Sequence, residues 1–177
     1  MPIVTIEQLI ENLNDADPYE QAGILKQLEI PKTEFENYAS WQANSYTRNC
    51  VHRNENYELI LLCWDTDAQT RIHNHAGEDC WVYQVAGTVK EVRFTQNDQG
   101  KMIETNTAVL TEQKLTYMHD RMGFHSIENI SNERAMTLHI YASPINECKV
   151  FNEDTEKLET ADLVYDTIDG SPVHKAS

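Results

Sequence analysis

The sequence predicts a mostly β protein, an antiparallel β-barrel or jelly roll with N-terminal α-helices packed on one side. Three observations predict this fold class. Apolar residues recur at three- and four-residue spacing near the N-terminus, alternation of apolar and polar residues dominates from about residue 45, and short polar clusters separate the alternating runs. Several short strands after a helical part are typical of such a fold, and the inside of a small barrel can hold one ligand.

Residues 1–42 are predicted to be helical. Two short amphipathic helices follow from two sets of apolar residues, which are Ile6, Leu9, Ile10 and Leu13, and then Tyr19, Ala22, Leu25 and Leu28. Pro31 separates them from a third predicted helix over residues 34–41, for which Thr33 would be the capping residue.

Residues 45–150 are predicted to form the barrel, because the alternating segments YELILLCW, WVYQVAG, TVKEVRF and RAMTLHIYA all lie there. Residues 151–177 are an acidic, turn-rich tail that we expect to add one late strand or hairpin at the edge, with frayed last residues. A chain of 177 residues with 40% hydrophobic content fits one apolar core. We therefore expect residues 1–177 to form a single domain.

Charge excludes several classes of partner. The chain has 14 basic and 29 acidic residues and a formal net charge of −15, which repels nucleic acid and anionic membranes. No stretch approaches the roughly 20 apolar residues of a membrane span, and no leader is recognisable. We expect a soluble, cytoplasmic monomer. Its cysteines, which lack CxxC spacing and are expected to be reduced, are Cys50, Cys63, Cys80 and Cys148.

Three histidines are candidate metal ligands. His73 and His75 stand two residues apart in RIHNHAGEDC, so on a strand both imidazoles would point into the barrel. His125, which follows a turn-like Met-Gly pair, is the candidate third ligand from a distant strand. The alternative is that these are half-buried histidines whose hydrogen bonds are satisfied by the backbone.

The pattern around these histidines resembles the two signature motifs of the cupin superfamily, which implies a single cupin-type domain. It is H-x-H-x4-C-x6-G from His73 to Gly87, and G-x-H-x3-N from Gly123 to Asn129. Where many cupins have a glutamate as a fourth ligand, this chain has Cys80, and Glu78 is better explained as a loop carboxylate. Three neutral imidazoles favour an anionic substrate ligand, and a thiolate suits iron(II) in such a site. Zinc would bind there but could not activate oxygen.

Two further sets of residues are candidates for the site. Thr137, His139 and Tyr141 alternate in TLHIY, so they share one face and could form a hydrogen-bonded sequence from hydroxyl to imidazole to phenol. The alternative for Tyr141 is an ordinary core tyrosine. Arg48 in YTRN would be costly inside a barrel unless it met a carboxylate, and the alternative is a surface cation.

The segments YTRN at 46–49, LLCW ending at Trp64, IHNH, and LHIY ending at Tyr141 resemble the cysteine dioxygenase family across nearly all of the β part. The resemblance implies that L-cysteine and O2 are converted to cysteine sulfinic acid in cysteine catabolism. The resemblance also implies that His73, His75 and His125 bind one iron(II) per chain, and that Arg48 binds the substrate carboxylate while Tyr46 lines the pocket. It further implies that Tyr141 acts in catalysis together with His139 and Thr137, and that a thioether bond joins Cys80 to Tyr141.

Two alternatives stay open beside this interpretation. The same iron and thiol chemistry could act on 3-mercaptopropionate or cysteamine. Arg48 argues against both, because the resemblance implies that relatives preferring 3-mercaptopropionate often have glutamine at this place, and cysteamine has no carboxylate for the arginine to bind. A non-catalytic cupin that binds a metal or a small acid is the other. The cross-link also requires a loop or bulge between His75 and Cys80, because a spacing of five residues on a regular strand would point the two side chains to opposite faces.

Overall fold

The computed structural model describes residues 1–17 and 19–173. Within them lie two α-helices, α1 (Ile6–Asp15) and α2 (Gln21–Leu25), and two 3₁₀ helices, Lys32–Phe35 and Asp120–Met122. The described strands are β1 (Tyr46–Arg53), β2 (Glu58–Trp64), β3 (Cys80–Ala86), β4 (Val89–Gln96), β5 (Met102–Leu110), β6 (Leu115–Met118), β7 (Phe124–Asn129), β8 (Ala135–Tyr141), β9 (Glu147–Asn152), β10 (Lys157–Asp162), β11 (Thr167–Ile168) and β12 (Ser171–Pro172). The prediction of a mostly β chain with a helical N-terminal part is confirmed.

The helical part is shorter than the sequence predicts. Helix α1 begins after Thr5, whose side-chain oxygen accepts a hydrogen bond from the backbone N–H of Gln8 at 3.1 Å, as an N-cap should. Helix α2 ends at Leu25, so Leu28 lies beyond it and pairs with Ile3 in an isolated β-bridge. The predicted helix over 34–41 is wrong. A 3₁₀ helix at Lys32–Phe35 and turns replace it, because the segment contains Asn, Tyr and Ser, which are mediocre helix formers.

The strands form three sheets. The largest has the order β12-β11-β1-β2-β8-β3-β6, the second β5-β4-β7, and the third β10-β9. Strand β11 pairs with β1 in parallel, whereas the other strand pairs are antiparallel. The large sheet is therefore centred on β2, β8 and β3, which carry most of the residues discussed below.

The large sheet is buried on both faces. Its outer face packs against the helices through side chains such as Leu61 and Leu138, and its inner face packs against the second sheet through Ile60 and Val82. All seven residues of β2 and all seven of β8 are buried, which explains their nearly continuous apolar sequence. Two sheets packed face to face agree with the predicted jelly roll. The buried residues between the two sheets form the inner apolar cluster, which can also enclose polar side chains.

The C-terminal tail contains more structure than one late strand. A hairpin of β9 and β10 is followed by β11, which joins the edge of the large sheet, and by β12. The last residues, for which fraying is expected, lie outside the described part of the chain. Across residues 1–17 and 19–173, no helix has the length and apolar character needed to span a membrane. The four cysteines are buried and do not form disulfides.

Candidate metal centre

The three candidate histidines meet at one point of the interior. His73 and His125 are joined by two backbone hydrogen bonds of 2.9 Å, which bring the segment before β3 against strand β7. The Nε2 atoms of His75 and His125 are 3.0 Å apart, and one ring nitrogen of each of the three histidines lies within 4.8 Å of the others. His75 and His125 are fully buried. The structure thus brings together ligands that are 50 residues apart in the chain.

Hydrogen bonds to the outer nitrogens orient two of the rings. The Nδ1 atom of His73 is 2.9 Å from the carbonyl oxygen of Arg71, and that of His125 is 2.8 Å from Oε1 of Glu91. A neutral imidazole that donates through Nδ1 presents the lone pair of Nε2 to the other side. The two acceptors therefore set the tautomer in which Nε2 is free to bind a metal.

Glu91 is a residue of the site that our sequence analysis missed. Its second carboxylate oxygen, Oε2, accepts hydrogen bonds from Arg93 Nη2 at 3.1 Å and from Thr116 Oγ1 at 3.2 Å. Glu91 is only 1% exposed, so its charge is compensated by Arg93 rather than by water. A signal for it was present in the sequence, because Val89, Glu91 and Arg93 alternate in TVKEVRF and place two opposite charges on the buried face of β4.

Burial keeps the histidines uncharged. Desolvation lowers the pKa of His73 to about 4, and it lowers the pKa values of His75 and His125 well below the ordinary value of 6.5. Repulsion among the imidazoles acts in the same direction for the last two. Neutral imidazoles are the form that binds metal ions. Three convergent, neutral nitrogen donors therefore fit a first-row divalent metal ion.

A tight loop carries the chain from the histidines to β3. The carboxylate of Asp120 accepts hydrogen bonds from the backbone N–H of His75 at 2.8 Å and of Gly77 at 2.7 Å, and from the side-chain amide of Asn74 at 2.8 Å. Ala76 and Gly77 both have positive φ, a backbone conformation that is typical of tight turns. The predicted loop between His75 and Cys80 is thus present. Glu78 does not belong to the three-histidine group.

This loop turns the side chain of Cys80 inward. Cys80 begins β3 directly opposite Tyr141 of β8, and both side chains belong to the inner apolar cluster. Burial raises the pKa values of both the thiol and the phenol, so both groups are protonated at neutral pH.

The three candidates on β8 share the inner face, but their hydrogen bonds differ from the predicted sequence. Thr137 Oγ1 accepts from Trp64 Nε1 at 2.9 Å and lies 3.0 Å from His139 Nε2, so the first link is present. Between His139 and Tyr141 the structure has ring stacking in place of the predicted hydrogen bond. The two ring centroids are 6.4 Å apart and the interplanar angle is 27°. Tyr141 instead lies opposite Cys80 and close to Arg48.

A cavity of about 410 Å³ opens beside the histidines, and Arg48, Tyr46, His73, His139 and Tyr141 are among its lining residues. Two nitrogens of the Arg48 guanidinium, Nε and Nη2, are buried and have no hydrogen-bond partner among the described residues. Buried donors of a charged group are costly when unpaired, so this arrangement is suited to an anionic ligand. Tyr46 lies against Trp64, with ring centroids 5.0 Å apart.

The chain is similar to proteins of one family. The family model described as cysteine dioxygenase type I matches residues 2–154. Human cysteine dioxygenase type 1 is 34% identical over 140 residues, which cover 77% of this chain and 70% of the human protein. The zebrafish (Danio rerio) cysteine dioxygenase type 1 is 28% identical over 172 residues, or 91% of this chain and 86% of that protein.

A solved structure supports the fold alone. The protein TT1209 from Thermus thermophilus superimposes with a TM-score of 0.50 and 20% identity, over 62% of this chain and 93% of that one. Because the family model spans most of the chain and the human relative exceeds 30% identity over three quarters of it, this chain belongs to the cysteine dioxygenase type I family.

Proposed function

We propose that this protein is an iron(II)-dependent dioxygenase that converts L-cysteine and O2 to cysteine sulfinic acid. The observation that carries the proposal is that Arg48, with two unpaired guanidinium nitrogens, lines the same cavity as His73, one member of the three-histidine group. A metal that binds a thiolate and an arginine that binds a carboxylate match the two anionic groups of cysteine. Family membership supports the reaction class.

His73, His75 and His125 would hold the iron, one ion per chain. Their neutral state and converging nitrogens fit a divalent ion. A bound iron(II) would supply the positive charge that favours the thiolate form of the substrate and the redox chemistry that O2 requires. Zinc fits the same donors but lacks that redox chemistry.

Arg48 would select and orient the substrate. Its guanidinium can donate in parallel to both oxygens of a carboxylate, and a charge-assisted pair of this kind is strong where water is excluded. Tyr46 lines the same cavity, and its ring is positioned by contact with Trp64. Cysteine and 3-mercaptopropionate offer Arg48 a carboxylate, whereas cysteamine does not.

Tyr141 would act as a hydrogen-bond donor toward the reacting groups. Its ring lies edge-on to that of the candidate ligand His75, with centroids 5.5 Å apart. Because burial raises the pKa of the phenol well above 10, its proton stays in place. His139 stacks behind the ring and Thr137 fixes His139, so both are positioning residues.

We also propose the thioether between Cys80 and Tyr141. Their facing positions on adjacent strands and their common burial in the inner apolar cluster support it. Forming the C–S bond removes one hydrogen atom from the Cys80 thiol and one from the Tyr141 ring, and these two hydrogens would reduce one O2 to hydrogen peroxide. A cross-linked chain should migrate as a second band on a denaturing gel. The second band should be absent in Cys80→Ser and retained in Cys50→Ser; a band that survives Cys80→Ser contradicts the cross-link.

The same proposal places the enzyme in the cytoplasm as a monomer without nucleic-acid partners. Four buried, unpaired cysteines suit a reducing compartment, and a net charge of −15 disfavours nucleic acid.

The direct test of function uses the purified full chain. The protein is loaded with iron(II) without air, one thiol is added, air is admitted, and oxygen uptake and sulfinate are measured. We expect cysteine to be oxidised faster than 3-mercaptopropionate, and cysteamine slowest. A higher rate with either of the other thiols would change the substrate, and metal binding without oxygen uptake from any thiol would contradict an enzymatic role.

A further inference from the structure

The end of β10 and the residues that follow it form one wall of the cavity that Arg48 lines. We call residues 161–166 the C-terminal strap. Its members that line the cavity are Ala161, Asp162, Leu163, Val164 and Asp166. Leu163 and Tyr165 pack against the inner apolar cluster that contains Tyr141. The match to the family model ends at residue 154, so the strap lies outside it.

The end of the strap is bound to the backbone of Arg48. The N–H of Asp166 donates to the carbonyl oxygen of Arg48 at 2.8 Å, and the N–H of Arg48 donates to Oδ2 of Asp166 at 2.9 Å. Strand β11 follows at once and pairs with β1. The strap is therefore fixed to the residue that we propose for the substrate carboxylate.

A buried carboxylate holds the middle of the strap. The hydroxyl of Tyr165 donates to Glu58, and the guanidinium of Arg53 donates both to Glu58 Oε1 at 3.1 Å and to the Tyr165 oxygen. We call Arg53, Glu58 and Tyr165 the latch. Glu58 is completely buried and lies directly opposite Tyr141 in the pairing of β2 with β8. A carboxylate without access to water is costly unless it is hydrogen-bonded, so Glu58 holds Arg53 and Tyr165 in place.

The latch also controls the neighbouring wall of the cavity. Glu58 Oε2 accepts from the N–H of Ile145 at 3.4 Å, and Arg53 Nη2 donates to Asn146 Oδ1 at 2.8 Å. The carbonyl oxygen of Asn146 in turn accepts from the N–H of Leu163 at 2.8 Å. Two apolar side chains of the cavity, Ile145 and Leu163, are thus held by a single network.

We propose that the latch makes the C-terminal strap a specificity-determining wall, in which Leu163 limits the length of the thiol that fits between Arg48 and the histidines. This inference rests on the proposed function. An apolar wall discriminates against one extra methylene by roughly 10- to 200-fold, provided that the wall cannot retreat. Glu58 and Tyr165 are positioning residues in this account, because they act through Leu163.

The test compares cysteine with homocysteine, which has the same carboxylate, amine and thiol and one more methylene. The variants are Leu163→Ala, which shortens the wall, and Tyr165→Phe, which removes only the hydroxyl from the latch. Tyr19→Phe is the matched control, since Tyr19 is 95% exposed. We expect the ratio of kcat/KM for cysteine to that for homocysteine to fall about tenfold in Leu163→Ala.

Tyr165→Phe should lower the same ratio. The decrease in kcat/KM for cysteine in this variant should come mainly from a higher KM. Hydrogen exchange of the metal-free protein gives a second measurement. The amides of 163–166 should exchange faster in Tyr165→Phe than in the wild type or Tyr19→Phe.

The outcomes separate this inference from the proposed function. Wild-type protein that oxidises neither thiol contradicts the proposed function and this inference with it. Wild-type protein that oxidises cysteine, together with an unchanged ratio in Leu163→Ala, overturns the strap alone. A ratio that changes in Leu163→Ala but not in a folded Tyr165→Phe overturns the latch. If Tyr165→Phe does not fold, Glu58→Gln takes its place.

Discussion

The carboxylate of Glu91 lies 2.8 Å from Nδ1 of His125, and Arg93 holds its other oxygen at 3.1 Å. The site is therefore not made of neutral imidazoles alone. A negative charge is present next to one candidate ligand, and Arg93 balances it. Outer partners of this kind orient a metal-binding ring and raise its basicity.

Replacing Glu91 by Gln should weaken metal binding. The amide keeps the size of the side chain but removes the charge, and we expect the affinity for iron(II) or cobalt(II) to fall about 10- to 100-fold. Competition with a chelator measures it, without any need for turnover. Glu104→Gln on the exposed strand β5 is the control. An affinity equal to that of the wild type would show that Glu91 only fills space.

Replacing Arg48 by Gln should cost the enzyme its recognition of the carboxylate. Hydrogen bonds to charged groups contribute about 1.5–3 kcal/mol, so kcat/KM for cysteine should fall by roughly 10- to 100-fold. Cysteamine is the internal control, since it has no carboxylate to lose. An equal loss with cysteine and cysteamine would mean that Arg48 supports the fold of the pocket and not the substrate.

Replacing Tyr141 by Phe should slow turnover without abolishing metal binding. The loss of one aligned donor corresponds to about 1 to 3 kcal/mol, or roughly ten- to a hundredfold in kcat. Steady-state oxygen uptake measures the change, and Tyr19→Phe is again the exposed control. Unchanged kinetics in Tyr141→Phe would contradict the donor role.

The metal-free protein should lose stability in acid through its buried histidines. Burial lowers the pKa of His139 in the fold well below 6.5, so the unfolded chain binds the proton more readily. The stability that the neutral ring provides is fully present above about pH 6.5 and decreases as the pH falls below it, by about 1.4 kcal/mol per pH unit for each such proton. The slope of unfolding free energy against pH should be smaller by that amount in His139→Gln. An unchanged slope would mean that His139 takes up its proton without unfolding.

Local sequence patterns predicted much of this molecule. The segments predicted as strands coincide with β2, β3, β4 and β8, although β2, β3 and β8 are buried at every position and β2 and β8 are nearly continuously apolar. The pair His73 and His75 was also readable, since two ligands for one ion have a short and recognisable spacing.

Features that depend on distant contacts could not be predicted in the same way. Asp120 binds a loop 45 residues away, and Tyr165 reaches a carboxylate 107 residues away. No local period reports such pairs. The predicted third helix was wrong because the capping pattern at Thr33 marks only where a helix could begin, and the mediocre helix formers that follow do not continue it beyond the 3₁₀ helix.

The central claim is that the three-histidine group and Arg48 form the site of a thiol dioxygenase. Reaction of the iron-loaded protein with cysteine in ¹⁸O₂, followed by mass spectrometry of the sulfinate, tests it most directly. We predict that both sulfinate oxygens carry the heavy isotope. A product with one or both of those oxygens from water would contradict the account.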